Sequence, residues 1–144
     1  MGWQDLRREV QYLAMHNPPP RVLLLHVGSN DLGTVGCSVM RAQFKADILD
    51  LHALFPDTTL VVSAMLPRLD WSRSLIPINK LERKRRLLNR FLRRLALYVG
   101  GRFIAHEDIT YDCPGLFYSD GVHLSDVGSD LFLLSIRTVL EELC

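Results

Sequence analysis

The alternation of short apolar runs with longer amphipathic segments constrains the fold of this chain most strongly. Apolar runs occupy residues 22–27 and 59–65, and a shorter one covers residues 102–106. The first two show no polar–apolar alternation, which is typical of parallel strands that are covered on both faces. Around them, apolar residues three and four positions apart predict four amphipathic helices. We expect these helices at residues 3–16, 39–55, 78–99 and 126–143, with Ser38 and Ser125 as N-caps of the second and fourth.

Strands that alternate with helices of this length predict βαβ units with right-handed crossovers. The fold class is therefore α/β, with a parallel sheet and helices on both of its faces. A length of 144 residues suffices for one domain and is too short for two independent cores. We accordingly expect residues 1–144 to form a single domain.

Composition excludes several classes of protein. Three cysteines do not make a disulfide framework, and no apolar run approaches the roughly 20 residues that a membrane-spanning helix needs. The first residues lack the apolar core of a signal peptide, which favours the cytoplasm. We find no zinc-ligand spacing and no glycine-rich phosphate loop, so no metal and no cofactor is expected. A net charge of +1 gives no global reason to expect nucleic acid as a partner.

Two polar segments fall where an open parallel sheet places its functional residues, at the carboxyl ends of strands. Gly28-Ser29-Asn30-Asp31 directly follows the first strand, and Asp120-Gly121-Val122-His123 precedes the last helix. A carboxylate three residues before a histidine can orient the imidazole and stabilise its protonated form, as a general base requires. An asparagine amide can donate hydrogen bonds to a developing oxyanion. Taken alone, each segment could equally be an ordinary turn or helix start without a catalytic role.

Together with their flanks, these segments resemble conserved blocks of the SGNH (GDSL-type) hydrolase family. The segment around Gly28–Asp31 resembles the third block, Asp120–Gly128 resembles the fifth, and Ser63–Arg68 is similar to the stretch between them. The resemblance implies a three-layer, flavodoxin-like sheet and hydrolysis of small acyl esters without metal or organic cofactor. It also implies site roles: Asn30 as oxyanion donor, His123 as base, Asp120 as its orienting acid, and Gly28 and Asp31 as supports of the loop.

The nucleophile of that family is missing from this sequence. The family carries it in a Gly-Asp-Ser block at the end of its first strand, and no Gly-Asp-Ser occurs here. We therefore expect the C-terminal part of such a domain, N-terminally truncated, with about three strands and four helices. Among the chain's own candidates, Ser29 and Ser125 fit turn and cap chemistry, Ser63 lacks the strand-to-helix elbow, and nothing distinguishes Ser119. Cys37, near a helix N-terminus, is the least implausible substitute.

The missing strands have a physical consequence for residues 22–27. In the family this strand has neighbours on both sides, so here it should form an exposed apolar edge, which is a template for pairing. We expect self-association, aggregation or docking of a partner at that edge.

A basic segment at residues 80–94 holds eight of the 17 lysines and arginines. It is either a nucleic-acid or anionic-surface patch or a solvated helix face, and the absence of interleaved aromatic residues favours the solvated face. The leading hypothesis is thus an SGNH-type serine ester hydrolase domain represented without its nucleophile. The alternatives are a catalytically inactive remnant or interaction module and, more weakly, nucleic-acid binding through the basic helix.

Overall fold

The computed structural model describes residues 2–71 and 74–144, and it confirms the α/β class. A short 3-10 helix at Trp3–Asp5 precedes the first α-helix. The remaining elements alternate along the chain: α1 (Leu6–His16), β1 (Val22–Leu25), α2 (Cys37–Leu54), β2 (Thr59–Ser63), α3 (Ile78–Tyr98), β3 (Arg102–Ile104) and α4 (Asp126–Leu143).

The described strands form one parallel sheet in the order β1-β2-β3. Val22 pairs with Thr59 in the first ladder, and Val61 pairs with Arg102 in the second. Within the described residues, β1 therefore has a neighbour on one side only and lies at an edge, as expected. Both crossover helices, α2 and α3, lie on the same face of the sheet, and α4 returns on the other.

Local structure departs from the sequence prediction mainly at element ends. The strands are each two residues shorter than the apolar runs, because the chain turns away from the sheet before the runs end. Ser38 is not the N-cap of α2: Gly36 holds that position two residues earlier, and its carbonyl accepts a hydrogen bond from the Met40 amide at 3.0 Å. Ser125 is confirmed as the N-cap of α4, since its hydroxyl accepts a hydrogen bond from the Gly128 amide at 3.2 Å.

The main core lies between the sheet and the helices α1, α2 and α3. Its largest fully buried side chains include Trp3 and Phe44, whose rings are 4.3 Å apart. The inward face of α3 is formed by buried leucines, Leu81, Leu88, Leu92 and Leu95, and Phe91 packs against the same core while only partly buried. The core on the opposite face of the sheet is smaller, and there Ile136 of α4 packs on Val61 and Ile104. In the part of the chain that the structure describes, no helix is long and apolar enough to cross a membrane.

Candidate active site

The Gly28–Asp31 loop leaves the carboxyl end of β1 through a left-handed glycine. Gly28 has φ of 107°, and a side chain there would press against the Met65 thioether, 3.1 Å from the position of a Cβ. The following residues form one turn of 3-10 helix that exposes Asn30. The structure places the Asp31 carboxylate beneath the loop, where it accepts a 2.7 Å hydrogen bond from the Trp3 amide and ties the loop to the N-terminal segment.

The second loop holds a carboxylate–imidazole pair. One carboxylate oxygen of Asp120 lies 2.6 Å from Nδ1 of His123, and the other accepts the amide hydrogens of Val122 and His123 at 2.9 and 3.0 Å. The hydrogen bond from His123, followed by the two amides, lowers the pKa of Asp120 to about 2. Because a carboxylate only accepts, Nδ1 is the protonated nitrogen, and Nε2 carries the lone pair that a general base needs.

A third segment, residues 67–71, joins the two loops. The amides of Leu69 and Asp70 both donate to the Gly121 carbonyl, at 2.7 and 3.1 Å. Gly121 has φ of 69°, and a Cβ there would lie 2.9 Å from the Asp70 Cβ, so the close approach requires glycine. The dyad loop is thereby fixed to the segment that follows β2.

Arg68 of this segment reaches the other loop. Its guanidinium donates to the Asn30 amide oxygen at 2.5 Å and lies over the Trp71 ring, 4.8 Å from the centroid. A guanidinium only donates, so it fixes which end of the asparagine amide faces it and turns the NH2 group away. Partial burial lowers the pKa of Arg68, which nonetheless stays far above neutrality as for any arginine.

These three segments enclose one cleft. Its larger lobe, about 720 Å³, is lined by Asn30, Arg68, Trp71, Asp120 and His123 among others. A smaller lobe of about 280 Å³ shares Asn30, Arg68 and His123 and is closed by residues at the end of β1. The structure therefore brings Asn30, Asp120 and His123 together at one cleft, whereas Asp31 lies beneath its loop. A base, an amide and a permanent cation at one cleft can accept a proton and stabilise a developing anion.

The candidate replacements for the nucleophile fall in different places. Cys37 starts α2 and packs partly buried against the main core, and it does not line the cleft. Ser119 is exposed beside the dyad, Ser125 caps α4, and Ser29 lines the smaller lobe. Ser63 is almost fully buried and is held in a polar cluster behind the cleft.

That cluster consists of Ser63, His26 and His106. The Ser63 hydroxyl lies 2.9 Å from Nδ1 of His26 and 2.6 Å from Nε2 of His106. Burial lowers the pKa of His26, and burial together with the nearby His26 lowers that of His106 to about 4. Both rings are therefore neutral at pH 7. The Phe132 ring of α4 packs on both of them, and Ser63 itself is 1% exposed, so its hydroxyl is not accessible from the cleft.

Sequence reasoning missed Arg68, Trp71 and His26 as lining residues. Arg68 lies inside a quoted motif, but its contact with Asn30 spans 38 positions and leaves no local pattern. Proline before it and tryptophan after it were the only available signals of a structured loop. Among residues 2–71 and 74–144, no group of three His, Cys, Asp or Glu side chains could hold a metal ion.

Comparison with solved structures shows which known proteins share the fold of this chain. A scan against protein-family models and a search of curated proteins both give no match. The chain is similar to the esterase domain of the ORF1 protein of the zebrafish ZfL2-1 retrotransposon, with 26% identity over 82% of this chain and 67% of that one and a TM-score of 0.61. It is also similar to a family 3 carbohydrate esterase of Clostridium thermocellum, with 20% identity, 99% of this chain, 67% of that chain and a TM-score of 0.73.

A third similar structure is the lipase/acylhydrolase from Enterococcus faecalis, with 17% identity and a TM-score of 0.66 over 99% of this chain and 71% of that one. The chain thus has the flavodoxin-like α/β fold of the GDSL/SGNH-type esterases and acylhydrolases. It spans between 67% and 71% of the length of these three proteins. The resemblance seen in the sequence is confirmed at the level of the fold.

Proposed function

We propose that residues 1–144 form a hydrolase-like domain that supplies the base and the oxyanion-binding half of an acyl-ester hydrolase site. The observation that carries the proposal is the Asp120–His123 pair, which faces Asn30 across one cleft. His123 accepts the proton of the attacking hydroxyl through Nε2 and later activates water. Asp120 holds the ring and balances its charge. Asn30 donates to the oxyanion, and Gly28 and Asp31 hold its loop in place.

The attacking serine comes, in this proposal, from outside residues 1–144. Support for that source comes from β1, which has an open edge among the described residues and whose Val22 and Leu24 are only partly buried. Beside it, α4 shows an apolar groove of about 680 Å³ lined by Leu133, Ile136 and Leu140. A strand followed by a helix would pair with this edge and fill this groove, and its strand end would face the cleft.

Fluorophosphonate labelling tests the proposal, because such probes react with an activated serine. The polypeptide is expressed from its own gene with whatever sequence precedes Met1, and residues 1–144 are prepared in parallel. We expect labelling of the gene product and its loss in His123→Ala. His16→Ala is the matched control, since His16 is an exposed histidine at the end of α1 and does not line the cleft.

The catalytically inactive alternative predicts a different result. A folded gene product that no fluorophosphonate labels and that does not turn over p-nitrophenyl acetate contradicts the proposal and makes the fold an inactive remnant or interaction module. Labelling that persists in His123→Ala contradicts the assigned base. Sedimentation of residues 1–144 tests the open edge: we expect dimers or larger species, and a monodisperse, cooperatively melting monomer would refute the edge as a pairing surface.

A further inference from the structure

One face of α3 carries arginines and no acidic residue. Five of them, which we call the arginine stripe, are exposed: Arg83, Arg86, Arg90, Arg93 and Arg94. Their spacing of three and four residues places them within an arc of about 100° on the helix surface. This arc lies opposite the buried residues Leu81, Leu88 and Leu92. The stripe is thus the outermost surface of the helix, and about 16 Å of helix length separates its ends.

The structure separates the stripe from two other basic residues of this helix, Lys84 and Arg85. Lys84 turns inward and donates to the carbonyl oxygens of Leu32, at 2.7 Å, and of Val35. Arg85 forms a two-point ion pair with the buried Glu82, at 2.7 and 3.0 Å, and donates to the Met65 carbonyl. Glu82 is the only acidic residue of α3 and is already engaged. These two cations therefore contact other parts of the fold, whereas the hydrogen bond that Arg86 of the stripe donates, to the Glu82 carbonyl at 3.4 Å, stays within α3.

The stripe has no charge partner in the part of the chain that the structure describes. No carboxylate there lies within ion-pair distance of any of its five guanidinium groups. Like charges at these spacings repel one another and destabilise a helix. The whole chain carries a net charge of only +1, so the rest of the molecule is net acidic and the positive charge is concentrated here. Such a surface is complementary to a polyanion.

We propose that the arginine stripe binds the sugar–phosphate backbone of a single-stranded nucleic acid without reading its sequence. Guanidinium groups match phosphate geometry with two parallel hydrogen bonds, and a row of them follows successive phosphates. Tyr98, 80% exposed and one turn beyond Arg94, offers a ring on which a base can stack. Interfacial insertion into a membrane would need a continuous outward apolar face, whereas the exposed leucines Leu87 and Leu97 of α3 stand ten residues apart among the arginines, and the continuous apolar face of the helix is packed in the core. This partner is independent of the ester-hydrolase proposal.

Salt dependence of binding gives the test. Anisotropy of a fluorescent 20-nucleotide oligouridine is titrated with the protein between 50 and 300 mM salt. If all five arginines contact phosphates, the logarithm of the association constant falls with that of salt with a slope of about −3.5. In Arg90→Gln/Arg93→Gln the slope should be smaller in magnitude by about 1.4. Glutamine has nearly the helix propensity of arginine, so the fold should persist.

The matched control removes the same charge elsewhere. In Arg8→Gln/Arg21→Gln, at two exposed positions outside the stripe, the slope and the affinity should stay close to wild type. A melting curve verifies each variant, and Arg83→Gln/Arg94→Gln replaces the first variant if its melting temperature drops. Three results overturn the proposal: no RNA binding at 50 mM salt, as for a merely solvated face; equal effects of control and stripe variants; or binding to phosphatidylserine vesicles without binding to RNA.

Discussion

His106 should make this protein sensitive to mild acid. Its ring is 6% exposed and stacked on Phe132 with 4.6 Å between centroids, and Nε2 is held by the Ser63 hydroxyl. Among the described residues and their atoms, Nδ1 is buried and has no hydrogen-bond partner. Burial, which disfavours the charged form of the ring, and then the nearby His26 lower the pKa of His106 to about 4.

The magnitude follows from linkage. An unfolded histidine has a pKa of about 6.5, so as the pH falls the unfolded state takes up the proton first. The stability that the neutral His106 ring contributes is present above about pH 6.5 and is lost progressively as the pH falls toward 4. A folded pKa of about 4 gives a loss of about 2 kcal/mol between pH 7 and pH 4.5. His26, whose pKa is also lowered by burial, adds a loss of the same sign. Asp120, with a pKa of about 2, loses its contribution only below this window.

Urea unfolding at pH 7 and pH 4.5, followed by the fluorescence of the buried Trp3, measures this loss. His106 has φ of 53°, so asparagine is the replacement, because it tolerates the left-handed region and does not titrate. His106→Asn will be less stable at both pH values, but the difference between the two should shrink by about 2 kcal/mol. His16→Asn, at an exposed site, is the control. An unchanged pH difference in His106→Asn would refute the reasoning.

Three further predictions concern other contacts of the site and the core. Glu82→Gln should lower the free energy of unfolding by about 3 kcal/mol in urea titrations, because it leaves the largely buried Arg85 without its counter-charge; a loss below 1 kcal/mol would show that the pair is solvated. Gly121→Ala should cost about 1–3 kcal/mol in the same assay, since its φ of 69° and the nearby Asp70 both oppose a side chain, whereas Gly115→Ala, with open space around it, is the control. The last prediction applies to a gene product that fluorophosphonate labels. Asp120→Asn should slow the labelling about 100-fold and Arg68→Ala about tenfold, and Arg68→Lys should fall between wild type and Arg68→Ala. Unchanged labelling rates would show that these residues do not belong to the site.

Much of the fold was predictable because local signals were strong and consistent. Helix α3 follows its leucine spacing almost to the residue, and Ser125 marks the start of α4. Element ends were less predictable, since an apolar run does not show where the chain leaves the sheet. Ser38 illustrates this: its side chain suits an N-cap, but Gly36 takes that position because the backbone bonds begin two residues earlier.

Only the contacts between residues of one short motif could be predicted from the sequence. Asp120 and His123 lie three residues apart, so their contact is encoded locally and the spacing revealed it. Arg68 meets Asn30 across 38 positions, and Ser63 meets His106 across 43. Such contacts depend on which strands become neighbours and on the length of the loops that follow them. No pattern within a window of the sequence contains that information.

The contacts that hold the cleft together determine how much an added strand with a nucleophile would have to supply. Asp120 orients His123 through bonds within one turn, Gly121 is anchored by two amides of the 67–71 segment, and Arg68 of that segment holds Asn30. None of these contacts involves the open edge of β1. The His123 imidazole and the Asn30 amide are therefore positioned before any further strand pairs there, so little of the binding energy of such a strand would be spent on ordering them. If the proposed function is correct, an added strand would need to supply only a correctly placed hydroxyl, which is a far smaller requirement than assembling a site.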